Sequence, residues 1–215
     1  MSTSLAAVEF VVRVMTETVL ENETYFGQLD AVVGDGDFGY SLARGFEIVK
    51  ADSATFDRSG VAAFVRKVGM VIASRVGGTS GPLWGTAFLR AAAAAGSKTE
   101  LTAGDAVAML RASVAGIQQR GGASLGEKTL LDSLVPAIDR LEADAAAGVT
   151  DTGALVAGMA QAARQAADAT SAMMARRGRA SYTGERSIGS PDAGAVAIAV
   201  IAESLAARWP EFTAR

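Results

Sequence analysis

Asp30-Ala31-Val32-Val33-Gly34-Asp35-Gly36-Asp37-Phe38-Gly39 is the stretch on which the fold turns. Its last six residues spell G-x-G-x-x-G, and Ala31-Val32-Val33 is the only strand-like run in the chain. A strand followed by that glycine pattern would open a βαβ dinucleotide fold, with pyrophosphate on a helix N-terminus. Two features exclude it. No alternation of strands and helices follows. Asp35 and Asp37 would also lie beside the pyrophosphate as bare like charges, at about 4 kcal/mol per pair for ~4 Å and an effective dielectric of ~20. Carboxylates among such glycines make sense only with a cation between them and a phosphate.

Outward from this stretch the chain reads helix after helix. Leu5, Val8, Val12, Met15 and Val19 step by three and four, as do Leu42, Phe46 and Val49, and then Val61, Phe64, Val65, Val68 and Ile72. Pro82 stands where a fourth helix begins. Thr102 and Asp105 form a capping box ahead of Val107, Leu110, Val114 and Ile117. Leu130, Leu134, Ile138 and Leu141 give a sixth helix, with a local bend expected at Pro136. Residues 151–177 are Ala-rich and read as helical throughout. Residues 192–209 form the eighth helix, which Pro210 is expected to stop. Ala31-Val32-Val33 is too short to build a sheet. The expectation is one all-α domain spanning 1–215, its helices joined by short connections.

Composition narrows the chemistry. The 215 residues include no Cys and no His, with 20 Lys+Arg against 23 Asp+Glu and a net charge of −3. Disulfides, thiolate sites, a cysteine nucleophile and an imidazole base are therefore absent from this chain. A metal here is ligated by oxygen, which favours Mg²⁺ or Ca²⁺ over Zn²⁺. The mild negative charge gives no sign of nucleic-acid binding. The N-terminus has no basic region before its apolar residues, so a signal peptide is not expected. The most apolar stretch, 193–202, is shorter than the roughly 20 residues that span a bilayer. No membrane association and a cytoplasmic location are the expectations.

Glycines gather in four loops, 34–39, 77–85, 121–126 and 178–194. In the first, Asp30, Asp35 and Asp37 lie within eight residues, two of them spaced i, i+2 across a glycine. An EF-hand is excluded, because the twelfth position counted from Asp35 is Phe46 rather than Glu. Three aspartates suit Mg²⁺ ions bridging a nucleotide's phosphates; the alternative is an Asx-turn with Asp37 capping the next helix. Gly77-Gly78-Thr79-Ser80-Gly81-Pro82 offers backbone N–H groups, two hydroxyls and a helix N-terminus, an anion site or an ordinary cap. Gly121-x-x-x-x-Gly126-Glu127-Lys128-Thr129 misses a Walker A motif by one extra residue, Glu127, and has no strand before it, so a P-loop fold is rejected, though the segment could still touch a phosphate or base. Arg176, Arg177, Arg179 and Arg186 crowd one Gly-punctuated loop, and arginine forks suit phosphate.

Together, DAVVGDGD (30–37), GTSGPLWGTAFLR (78–90), GEKT (126–129), GRASYTGERSIG (178–189) and DAG (192–194) closely resemble the nucleotide-binding L subunit of the dihydroxyacetone kinase family. The motifs come in the family's order over essentially the whole chain. The resemblance implies a barrel of eight antiparallel helices with the nucleotide at one end. It implies two Mg²⁺ on Asp30, Asp35 and Asp37. It implies ADP or ATP contacts at Phe38, Gly39, Tyr40, Ser41, Gly78, Thr79, Ser80, Gly121, Leu130, Arg179, Pro191, Asp192 and Gly194. No acid or base on this chain is implied. The sugar would sit on a histidine of a separate K subunit. In the phosphotransferase-system branch, a phosphohistidine-bearing M subunit would recharge bound ADP. The implied role is a kinase subunit that presents the phosphoryl group of Mg-nucleotide to a short keto-sugar. The alternative role is an ADP-loaded module acting on a transcription regulator. Phe38 replaces the family's usual His, and Ser190-Pro191 replaces its His-Gln; both changes fit a sub-branch acting on a tetrulose.

Overall fold

The computed structural model describes residues 3–214. Every regular element among them is helical, as the spacing predicts. Nine α-helices run in chain order: α1 Thr3–Glu21, α2 Glu23–Ala31, α3 Phe38–Asp52, α4 Val61–Arg75, α5 Ser80–Ala95, α6 Ala103–Gly121, α7 Leu131–Ala146, α8 Thr152–Ala169 and α9 Ala193–Thr213. They divide between two compact units. One comprises the chain up to residue 20 together with 41–122; the other comprises 21–40 and the chain from 123 onward.

In the first unit, α4 packs on α5 and α5 on α6. The spaced apolar residues of α4 (Val61, Phe64, Val65, Val68 and Ile72) are all buried. The buried Ser113 on α6 donates its hydroxyl to the Ala87 carbonyl of α5 at 2.8 Å and to its own helix at Met109. That satisfies a polar group which would otherwise cost about 1–3 kcal/mol to bury. The capping box forms as predicted: the Thr102 hydroxyl oxygen accepts from the Asp105 N–H, and the Asp105 carboxylate accepts from the Thr102 N–H.

In the second unit, α8 packs against α7 and α9, and α2 against α9. The core is built of small side chains: Ala137 from α7, Ala160, Ala163 and Ala167 from α8, and Ala195, Val196, Ala199 and Ala202 from α9, with Leu29 of α2 against them. Alanine adds no rotamer entropy and lets helix backbones approach closely. The buried Ser133 hydroxyl on α7 donates to the Ala163 carbonyl of α8 at 2.9 Å. Arg164 of α8 clasps Glu203 of α9 through two bonds of 2.8 and 2.7 Å. That bidentate pairing pushes the Arg164 pKa up.

Four expectations need correction. The short helix α2 was not anticipated, because its nine residues are mixed and bury only Phe26. Ala31-Val32-Val33 is no strand: Ala31 ends α2, and Val32 and Val33 continue into a turn. The Ala-rich run 151–177 ends as an α-helix at Ala169 and continues as a 3₁₀ turn over Thr170–Ala172. Pro210 does not stop the last helix, which runs on to Thr213. A proline there removes only one late backbone donor, and the Trp209 and Phe212 rings, 5.4 Å apart, pack across it. At 21 residues, α9 is long and apolar enough to cross a bilayer by length and composition. Within the second unit it packs against α7 and α8, and its Glu203 pairs with Arg164.

Candidate metal and nucleotide site

Asp30 lies on the last turn of α2, and its backbone carbonyl accepts from Val33 and Gly34, closing the chain into a turn. A side chain at Gly34 would collide with Asp30 itself, 2.2 Å from its Oδ1. Gly36 then takes a positive φ of 77°, which glycine adopts without the steric cost borne by other residues. The chain re-enters a helix at Phe38, whose N–H lies 3.4 Å from Asp30 Oδ2. Gly39, in the first turn of α3, rides directly on α2; a Cβ there would stand 2.0 Å from the Glu23 carbonyl oxygen. The Phe38 ring packs tilted against the buried Phe26 at 6.2 Å, anchoring the start of α3 to α2. Tyr40 is exposed and borders an open groove of about 310 Å³ lined by α2 residues and Gly36.

The product of this turn is convergence. Asp30, Asp35 and Asp37 each bring a carboxylate oxygen to within 4.8 Å of the others. Asp30 is half-buried, and Asp35 and Asp37 are exposed. The Arg179 guanidinium contacts Asp35 and lies 3.8 Å from Asp37. The donor set is oxygen alone, with no imidazole or thiolate among its members, and it fits a hard divalent cation.

The second unit gathers further predicted residues. Leu130, the N-cap residue of α7, lies against Gly194 in the first turn of α9: a Cβ on Gly194 would stand 3.2 Å from that of Leu130. Asp192, just after Pro191, caps α9 by accepting the Ala195 N–H at 2.8 Å, and its own N–H donates to the Thr170 hydroxyl. Burial pushes the Asp192 carboxyl up to about 7, and the charge of Asp132 adds to this. The Ala195 N–H bond and the Lys128 charge oppose the shift.

A folded-state value above the ordinary ~3.9 means that the native state binds this proton more tightly than the unfolded chain. The resulting stability is fully present below pH ~4 and is lost as pH rises through about 7. Asp192→Asn keeps a capping acceptor but has no proton to lose. Its melting temperature, compared with that of the unmodified protein, should rise steadily from pH 4 to pH 8. A difference that stays flat across that range refutes the burial-driven shift.

The first unit gathers the rest. Thr79 is the N-cap residue of α5 but makes no side-chain cap bond, and Gly78 before it takes a φ of 60°. Gly77 faces Ser41, whose Oγ would lie 3.3 Å from an added Cβ. Gly121, at the end of α6, faces Leu83 in the first turn of α5. Ser41, Gly78, Thr79, Ser80 and Gly121 thus surround the N-terminus of one helix, where backbone N–H groups and the helix dipole favour an anion.

The role of Lys128 was missed. Its near-Walker A setting gave it no assigned role, and in the structure the Lys128 side chain turns inward. It is almost fully buried, and its φ of 61° makes it the one non-glycine residue with positive φ among those described. That conformation costs about 1–3 kcal/mol and persists where the surroundings over-determine it. Its ammonium donates to the carbonyls of Met173 (3.1 Å), Ser187 and Ser190 (2.7 Å). Neighbouring Glu127 takes two bonds from Arg177, at 2.7 and 3.1 Å. No sequence signal distinguishes a lysine aimed at carbonyls from one aimed at phosphate.

A family model described as the DAK2 domain matches residues 32–207, and the chain belongs to the DAK2 domain family. It is 39% identical over 183 residues to the "PEP-dependent dihydroxyacetone kinase, ADP-binding subunit DhaL" of Escherichia coli (strain K12), covering 85% of this chain and 86% of that protein. It is 36% identical over 200 residues to the L-erythrulose 1-kinase of Mycolicibacterium smegmatis, covering 91% of this chain and 34% of that protein. Among solved structures it resembles the dihydroxyacetone kinase from C. freundii in complex with AMP-PNP and Mg²⁺, with a TM-score of 0.75 and 26% identity over 94% of this chain. The chain spans about a third of the length of these last two proteins.

Proposed function

We propose that this chain is the nucleotide-binding, phosphoryl-presenting subunit of a kinase for dihydroxyacetone or a related short keto-sugar. The observation that carries the proposal is the convergence of Asp30, Asp35 and Asp37 beside Arg179. In this reading the three carboxylates hold Mg²⁺, two ions in number, and Arg179 supplies a fork for phosphate oxygens. Bound Mg²⁺ would offset phosphate charge and favour in-line transfer of the terminal phosphoryl group. Ser41, Gly78, Thr79 and Ser80, with the backbone N–H groups at the start of α5, would hold ADP or ATP phosphates. Phe38, Gly39, Tyr40, Gly121, Leu130, Pro191, Asp192 and Gly194 would shape the remainder of the nucleotide site. Residues 1–215 would act as one nucleotide-binding domain in the cytoplasm.

With no histidine on this chain, the sugar-holding group belongs to a K-type partner, and any phosphohistidine to an M-type partner. Phosphoryl transfer relies on positioning and electrostatics, so a subunit without an acid or base can supply its full share. A tetrulose substrate is supported by the likeness to an erythrulose kinase and by Phe38, which offers no hydrogen bond where the family has His.

The test is to denature freshly purified protein and identify what it releases. Stoichiometric ADP supports the phosphotransferase-system branch, and an empty protein that binds Mg-ATP reversibly supports the ATP-dependent one. A protein that releases no nucleotide and binds neither Mg-ADP nor Mg-ATP refutes the reading.

A further inference from the structure

Residues 173–190 carry Arg179 to the aspartates, yet they have almost no apolar interior. Within the 3₁₀ segment Arg179–Ser187 only Ser187 is buried, and Tyr182 is 88% exposed. Such a segment is not held by hydrophobic packing and must be held by polar bonds. Two bonds join its two ends directly, from the Ala175 N–H to the Ser187 hydroxyl at 2.9 Å and from the Gly189 N–H to the Ser171 carbonyl at 2.8 Å, and the others reach Glu127 and Lys128 in the turn before α7. Lys128 reaches a carbonyl near its start (Met173) and two near its end (Ser187 and Ser190). Glu127 accepts the Arg176 N–H at its backbone carbonyl, 3.1 Å away, and grips the Arg177 guanidinium with its carboxylate. Asp132 in turn holds that turn by accepting from the Gly126 and Thr129 N–H groups. The Ser190 hydroxyl is buried with no partner among the described residues.

We infer that Lys128 is a positioning residue whose buried ammonium serves as a built-in monovalent cation, drawing both ends of segment 173–190 together so that Arg179 is presented to Asp35 and Asp37. Three carbonyl oxygens around one nitrogen are the donor set that free ammonium or potassium would use. The left-handed backbone of Lys128 fits this role, because it turns a side chain of the motif into the interior instead of toward solvent. This role of Lys128 adds to the direct Ala175–Ser187 and Gly189–Ser171 bonds and needs no ligand. Only its consequence for nucleotide binding rests on the function proposed above.

The side chain can be removed without backbone strain, since glycine adopts a φ of 61° freely. In nucleotide-free Lys128→Gly, amide exchange across 176–187 should accelerate by about tenfold or more while α7, α8 and α9 stay protected. Ammonium or methylammonium chloride should restore protection, and tetramethylammonium chloride at equal ionic strength should not, because it has no N–H and is too large. Affinity for Mg-ADP should follow the same pattern of loss and rescue. Should the variant fail to fold, the unmodified protein gives the answer. A lysine Nζ resonance whose protons are shielded from exchange, assigned to Lys128, is expected by ¹⁵N NMR.

Protection of 176–187 unchanged in Lys128→Gly overturns the inference. So does rescue by tetramethylammonium as good as that by ammonium, and so does a freely exchanging Lys128 ammonium. Failure of the unmodified protein to bind Mg-nucleotide overturns the functional reading instead, and leaves the exchange results to decide the role of Lys128.

Discussion

Asp35→Asn and Asp37→Asn should each lower the affinity for Mg-ADP by about 100-fold or more, while far-UV circular dichroism stays unchanged. Removing an outer-shell partner of a metal ligand typically costs 10–100-fold in metal affinity, so loss of a direct ligand should reach at least the upper figure. That corresponds to about 2.7 kcal/mol. Each substitution preserves side-chain shape but removes a negative charge from a cluster whose oxygens lie within 4.8 Å of one another. Both side chains are substantially exposed, so the helices lose no buried contact. The contact of Asp35 with Arg179 is a surface ion pair, worth about 0–1 kcal/mol to the fold, and loss of like-charge repulsion works against that small cost. The folded protein should therefore keep its melting temperature in the absence of metal and lose the increase that Mg-ADP confers. Titration calorimetry separates the outcomes. Unchanged Mg-ADP affinity in both variants refutes the metal assignment.

Gly39→Ala should be the most damaging single methyl group in the second unit. The added Cβ would lie 2.0 Å from the Glu23 carbonyl oxygen and 2.7 Å from the Gly27 nitrogen. Both are backbone atoms of α2, so no rotamer change relieves the clash, and α2 must separate from the start of α3. Overpacking of this kind typically costs about 1–3 kcal/mol, and a clash against backbone belongs at or above the upper end. For a chain of this size, that is a fall in melting temperature of about 10 °C. Because the same contact fixes the turn between Asp30 and Asp37, Mg-ADP affinity should fall as well. Gly60→Ala is the control: a Cβ there meets nothing within 4 Å, and the φ of 175° is ordinary extended backbone. A Gly39→Ala protein that melts with the control would show that α2 and α3 do not approach as described.

The helices and the site differ in how far the sequence revealed them. Spacing in three and four was enough for α4, because Val61, Phe64, Val65, Val68 and Ile72 all face inward, and Thr102 with Asp105 marked the start of α6 without ambiguity. The convergence of the triad was legible, since Asp35 and Asp37 stand across a glycine five and seven residues after Asp30. The short α2 was not legible: it holds on to the rest of its unit mainly through Phe26 and Leu29, too few residues to show a period. Nor was the role of Lys128. Its three acceptors are backbone carbonyls 45, 59 and 62 residues further along the chain, and backbone carbonyls look alike in any sequence. Pro210 misled for a related reason, since its effect depends on how many turns follow it rather than on its identity.

The two tryptophans give the division of the chain an optical consequence. Trp84 lies buried in α5 of the first unit, and Trp209 in α9 of the second, where its indole N–H donates to the Thr152 hydroxyl at 2.9 Å. No other tryptophan is present. Each unit thus carries its own fluorophore, one of them hydrogen-bonded, and replacing either by Phe leaves a single emitter that reports on one unit alone. Whether ligand arrival or denaturant reaches both units at once then becomes a question of comparing two emission traces from the same polypeptide.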